Sequence, residues 1–304
     1  MPPDASAVCT PAGPFPLASF TIGTHSQERS SLKGGLRVLS LFDPVAWSSL
    51  DFDRFDVDES FEPQWLHRPL DLRRLNLSRS SGSSPKHTAS VMQALSMSLK
   101  SDSLQELYVQ VDSKDTVVAL GKLLSYAGRN ITTLAIQNDG SYTSTRDGWV
   151  DPLEGNWRML NLSACTKLES ISLLMHFREK PTRPLSETPV GIIQQAPPSL
   201  RMVTIDVYCL PKSTTIGNRS VFKIHDFDKV LSTMHFPHLQ GFELHICPDS
   251  SLQYRNGHWP KCVASPGRPQ GPSWAWPPES EEIVVTGGFE PHVWADWTLR
   301  AKTN

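Results

Sequence analysis

The chain has 304 residues and a mass of 33.9 kDa, with 38% hydrophobic and 20% charged residues. A chain of this length can bury about three quarters of its extended surface. A formal net charge of −2 and a pI near 6.5 leave no basic excess for nucleic acid or for an anionic membrane surface. No apolar stretch approaches the ~20 residues that a membrane-crossing helix needs. The five cysteines, Cys9, Cys165, Cys209, Cys247 and Cys262, form no C-x-x-C pair. That scatter is expected of reduced thiols in a cytoplasmic or nuclear protein.

In chain order, residues 1–16 hold five prolines and no basic residue, so they are expected to be flexible and to lack a secretory signal. The triplets Asn76-Leu-Ser, Asn130-Ile-Thr, Asn161-Leu-Ser and Asn218-Arg-Ser are then expected to stay unglycosylated. LASFTIG (Leu17 to Gly23) reads as an extra strand or a cap. A recurring L-x-x-L-x-L segment follows. It runs as LRVLSL from Leu36, LRRLNL from Leu72, LQELYV from Leu104, ITTLAI from Ile131, LESISL from Leu168, LRMVTI from Leu200 and LQGFEL from Leu239. The starts lie 36, 32, 27, 37, 32 and 39 residues apart. Positions 4 and 6 alternate as in a half-buried strand.

Helical spacing fills several of the intervals. Val91, Leu95 and Leu99 share one face over Ser90–Lys100. Asp115 is expected to cap a helix carrying Val117, Leu120, Leu124 and Ala127, with Gly128 at its end. A shorter helix is expected over Val190–Gln195, stopped by Pro197 and Pro198. Asp226 precedes Phe227, Val230, Leu231 and Met234, again at helical spacing. Polar loops are expected over 138–151 and 178–189. Residues 248–304 read as a Pro/Gly/Trp-rich tail, poorly ordered or capping, with a short strand over 281–288 and a short helix over 293–299. The main domain is thus expected over 17–247.

Strand, loop and helix in alternation signal βα units with parallel strands. The period suggests an irregular solenoid of about seven units, each burying its apolar face against its neighbours. An ordinary α/β domain with an open parallel sheet is the alternative.

No motif for catalysis is found: G-x-S-x-G, G-x-x-x-x-G-K-[ST], G-x-G-x-x-G and H-E-x-x-H are all absent. His235, His238, His245 and Cys247 match no common zinc spacing and read as turn and surface residues. In DFDRFDVDES (Asp51 to Ser60), Phe55 and Asp56 break the calcium-loop pattern, leaving a solvated acidic helix or loop. Asp206, Tyr208 and His225 have no spacing that marks an acid–base set. No enzyme, cofactor or metal is therefore expected. An enzyme on an open sheet would draw on Asp43, Asp112 and His176 at strand ends.

LNLSACTKLESISL (Leu160 to Leu173) resembles a unit of the leucine-rich-repeat region of F-box proteins, in particular the divergent group of mushroom-forming fungi. PSLRMVTIDV (Pro198 to Val207) and FPHLQGFELHI (Phe236 to Ile246) resemble two further units, each with a Pro-x-Leu start. The resemblance spans Leu36 to Ile246. It implies a parallel sheet lining a concave face that binds a protein partner, and membership in a cullin–RING ubiquitin ligase as its substrate receptor. Two departures stand out. The family's Asn or Cys beyond the last strand leucine falls here at Pro44, Ser80, Asp112, Asp139, His176, Tyr208 and Cys247. The F-box that would dock on the ligase adaptor is not found, residues 1–35 being short and rich in Pro, Ser and Gly. Partner contacts are expected on the polar strand positions Arg37, Arg73, Arg74, Gln105, Glu106, Tyr108, Thr132, Glu169, Arg201 and Glu243, arginine and tyrosine being frequent interface anchors.

Overall fold

The computed structural model describes residues 15–18, 20–22, 30–46, 48–51, 55–56, 62–78, 85–138, 153, 155–176, 184, 186–208, 224–231, 234–247, 282–287 and 298–302. Its first part holds β1 (Phe15–Leu17), β2 (Phe20–Ile22), β3 (Ser30–Ser31), helix α1 (Leu32–Leu39), β4 (Phe42–Val45), β5 (Ser48–Asp51) and β6 (Phe55–Asp56). A regular alternation follows: β7 (Arg74–Ser78), α2 (Pro85–Ser98), β8 (Glu106–Val111), α3 (Lys114–Ala127), β9 (Thr133–Asn138) and β10 (Ser170–His176). It continues with α4 (Glu187–Ile193), β11 (Met202–Tyr208), α5 (Ile224–Val230) and β12 (Gly241–Cys247). Strands β13 (Glu282–Gly287) and β14 (Thr298–Lys302) come last.

The fold is α/β. Strands β7 to β12 lie side by side in chain order, all parallel. β5 and then β2 extend this sheet in parallel at one edge, while β13 and β14 extend it antiparallel at the other. Two small parallel pairs, β1 with β4 and β3 with β6, stand outside it. A second layer also runs in chain order: α2 packs on α3, α3 on a 3-10 turn at Trp157–Leu160, that turn on α4, and α4 on α5.

The repeated segment explains the sheet. In the six segments from Leu72 onward the strand begins at position 3, and positions 1, 4 and 6 are buried. The register stacks position 4 as Leu75, Leu107, Leu134, Ile171, Val203 and Phe242. Position 6 stacks as Leu77, Val109, Ile136, Leu173, Ile205 and Leu244. These two ladders form one continuous core with Val91, Leu95, Leu120, Leu124, Ile192 and Phe227 of the helices. Each full side chain of this kind stabilises by about 1.5–3 kcal/mol on leaving water.

A backbone device joins the units before the strands begin. The position-2 carbonyls of Arg73, Gln105, Thr132, Glu169 and Arg201 each accept two N–H bonds from positions 2 and 3 of the next segment, at 2.7–3.2 Å. Every unit thus starts at a height set by its predecessor, and the turn amides that would otherwise lie unpaired are satisfied.

The first segment departs from the expectation. Leu36–Leu39 of LRVLSL form the end of helix α1, not a strand start, because Leu32, Leu36 and Leu39 form a buried helical face and the Ser31 hydroxyl caps the helix by accepting from the Gly34 N–H. Val38 and Leu41 are left exposed. The expected helices exist with shifted limits. Ser113, not Asp115, caps α3, its hydroxyl accepting from the Thr116 N–H. α5 ends at Val230, so Met234, assigned above to its apolar face, is 93% exposed. β2 supplies the strand expected within 17–23, and β13 the one expected over 281–288. Thr298 and Leu299, expected in a short helix, open β14 instead. Asp51 ends β5 and Phe55–Asp56 form β6, so the described part of the acidic run is strand, not helix. Residues 1–14, the loop residues 139–150 and 178–183, and residues 248–281 lie outside the described residues.

Candidate binding surface

Alternation fixes what the other sheet face carries. The register aligns Arg74, Glu106, Thr133, Ser170, Met202 and Gly241 in one row across β7–β12. The next row is Asn76, Tyr108, Ala135, Ser172, Thr204 and Glu243, and the third runs Gln110, Gln137, Leu174, Asp206 and His245. The face divides along the strands. Near the strand starts it is open, with Arg74 exposed and Thr133, Ser170 and Met202 half-buried; of the position-2 residues just before the strands, Arg73, Gln105, Glu169 and Arg201 are exposed and Thr132 is half-buried. Towards the strand ends it is closed, with Gln110 6%, Leu174 1% and Asp206 6% exposed.

The expected contact residues therefore do not share one environment. Arg73, Gln105, Thr132, Glu169 and Arg201 line the open border, one per unit, their backbones held by the ladder described above. Arg74 and Glu106 stand opposite each other on β7 and β8 and pair, Nε to Oε1, at 2.9 Å. An exposed pair of this kind contributes at most about 1 kcal/mol. Glu243 lies on β12 with 42% of its side chain exposed.

Two of the ten need correction. Arg37 lies on α1, in its last turn, so it is not on a strand and not in any row of the sheet. Tyr108 is on the expected face but only 7% exposed. Its hydroxyl donates to Glu106 Oε2 at 3.4 Å. Burial, together with the Glu106 charge and hydrogen bond, pushes the phenol up to about 12, against the smaller opposing pull of Arg74. Tyr108 is a packed residue in the row next to the Arg74–Glu106 pair; the alternation that put it on this face carries no information about what covers it.

Sequence reasoning also missed a pair. Asp206 and His245 are register partners on β11 and β12, and His245 Nδ1 lies 2.8 Å from Asp206 Oδ1. Both occupy position 7 of their segments, so aligning the repeats one residue past the triplet would have set them side by side. Asp112, one of the residues weighed for an open-sheet enzyme, is buried at the end of β8 and accepts from the Thr116 hydroxyl at 2.7 Å. It ties the strand end to the first turn of α3.

Among the described residues, no group of three or more His, Cys, Asp or Glu side chains is arranged to hold a metal ion. Within the same residues, no helix is long and apolar enough to cross a membrane. No protein-family model matches the chain, and no curated protein matches it in sequence.

Proposed function

We propose that this chain is an irregular leucine-rich-repeat-like solenoid that binds a protein partner on the open half of its sheet face, as the substrate-recognition part of an F-box-type ubiquitin-ligase receptor. One observation carries the proposal. Six L-x-x-L-x-L segments sit in register across adjacent parallel strands in chain order, with a polar residue from each of five successive units along the border, exposed at Arg73, Gln105, Glu169 and Arg201 and half-buried at Thr132. Repeats stacked in this way give an extended surface whose side chains vary without disturbing the core. An enzyme on an open α/β sheet would place its site at a reversal of strand order. The described strands of the large sheet contain no such reversal.

The test is capture of partners by the tagged chain from lysate of a mushroom-forming fungus, read by mass spectrometry. A second capture uses the combined replacement Arg73→Ala, Gln105→Ala, Glu169→Ala and Arg201→Ala. A specific partner is expected with the parent chain and at least a tenfold loss with the variant, at an unchanged unfolding midpoint. Equal capture by both chains overturns the assigned surface. Recovery of the cullin–RING adaptor supports the ligase role; its consistent absence beside another specific partner removes that role and leaves the scaffold.

A further inference from the structure

We propose that Asp206, His245 and Glu243 form a pH-sensitive staple across β11 and β12, in which the imidazole holds its proton at neutral pH between two carboxylates. This inference is independent of the partner-binding proposal. His245 Nδ1 lies 2.8 Å from Asp206 Oδ1 on the neighbouring strand, and its Nε2 lies 3.6 Å from Glu243 Oε2 on its own strand. Both ring nitrogens therefore face a carboxylate oxygen. Only the imidazolium donates from both nitrogens; the neutral ring has a single N–H.

Burial sharpens the requirement. The Asp206 side chain is 8% exposed and that of His245 16%. A buried carboxylate needs a charged partner or hydrogen bonds, and a protonated imidazole at 2.8 Å supplies both. Neutral His245 would leave two carboxylates flanking a ring with one proton to share.

The register neighbours of the three residues on the flanking strands are uncharged. The register neighbour of Asp206 on β10 is Leu174, and those of His245 and Glu243 on β13 are Val284 and Thr286. Arg300 on β14 stands opposite Val284, one strand further out. His176, Tyr208 and Cys247 are the register partners at the strand ends, two residues further along. Asp206 and Glu243 thus set an acid beside each ring nitrogen, one from each of two parallel strands, and both bias the imidazole towards the protonated form.

The sign follows from linkage. A histidine whose proton is held more tightly when folded contributes stability that is complete below the ordinary value of about 6.5 and is lost as pH rises through its folded value. The staple should therefore tie β12 to β11 at neutral and mildly acidic pH and release it in mild alkali.

The experiment is an NMR titration of the histidine rings in the full chain from pH 5 to 9, with the His245 signal assigned by its loss in His245→Gln. The expected midpoint lies at least one pH unit above 6.5, a tenfold tighter hold on the proton. Asp206→Asn is expected to bring it down by most of that shift and Glu243→Gln by less. Amide exchange supplies a second readout. Protection of 241–247 relative to 106–111 should fall above the midpoint in the parent chain and be pH-independent in His245→Gln. A midpoint at or below 6.5 in the parent chain overturns the proposal even if no variant folds. An unchanged midpoint in a folded Asp206→Asn chain overturns it equally.

Discussion

The segments LRVLSL at Leu36 and LRRLNL at Leu72 fit one pattern, yet the first is the helix α1 and the second runs into the strand β7. In the second, all three pattern residues are buried against the helix layer. In the first, Leu36 and Leu39 are buried but Leu41 is half exposed, its place on the buried face taken by Leu32. A spacing of three residues serves a helix as well as a strand start, so the triplet alone is ambiguous. Ser31 decides the case by capping the helix, whereas the Arg73 amide of the second segment donates to the Val45 carbonyl, and each later segment donates two amides to a carbonyl of its predecessor. Local pattern proposes; a cap or a waiting neighbour selects.

The sharpest way to break this comparison is to truncate the same pattern position in both regions. Leu77→Ala removes a fully buried side chain from the position-6 ladder and is expected to cost about 2–5 kcal/mol. Leu41→Ala, at the matching place in the first segment, is expected to change stability by less than about 0.5 kcal/mol. Urea unfolding of both variants reads the difference directly. Equal losses would mean that Leu41 is buried and that the two regions are alike.

Tyr108 tests the closed half of the outer face in the same regular region. Its phenol is pushed up from 10.0 to about 12, so between those values the folded chain keeps a proton that the unfolded chain has lost. The contribution is complete below pH 10 and disappears as pH rises through the folded value, a loss on the order of 2 kcal/mol. Tyr108→Phe should flatten that part of the stability profile. A profile that keeps its slope in the variant would show that another group causes it.

The helix layer gives the next effect. A Cβ on Gly121 of α3 would overlap the Met159 carbonyl oxygen in the adjoining 3-10 turn. Gly121→Ala is therefore expected to cost about 1–3 kcal/mol, although alanine favours helices elsewhere. Removing the α3 cap with Ser113→Ala should cost about 1 kcal/mol, and Asp115→Ala less. A larger loss at Asp115 would restore the cap expected from the sequence.

These residues show what was readable. The parallel α/β sheet was legible from β7 to β12 because the triplet's period of two is set by burial on one face, and all six segments obey it. Helix existence was legible too, since Val117, Leu120, Leu124 and Ala127 have only one periodic interpretation. Helix limits were not, because Ser113 and Asp115 are both good caps and only the path of the chain out of β8 chooses between them. On the outer face, polarity marked Arg73, Gln105, Glu169 and Arg201 as exposed. It was blind to Tyr108, whose burial depends on what lies over the sheet. The Asp206–His245 pair was hidden because its two halves lie 39 residues apart and meet only through register.

The smallest effect isolates the local half of the argument. Gly34 lies within α1, and a Cβ there would meet nothing closer than the Ser31 Cβ at 3.7 Å, an ordinary contact. Its backbone is helical and needs no glycine. Gly34→Ala should then stabilise the chain by about 0.5–1 kcal/mol through the reduced freedom of the unfolded state. The gain is specific to a helix, because a strand over the same residues would draw no such benefit from alanine. Thermal unfolding with and without Ser31→Ala separates the two contributions. If Gly34→Ala stabilises and Ser31→Ala destabilises by a similar amount, α1 is held by its own sequence. If neither matters, the buried contacts of Leu32, Leu36 and Leu39 alone keep this segment out of the sheet.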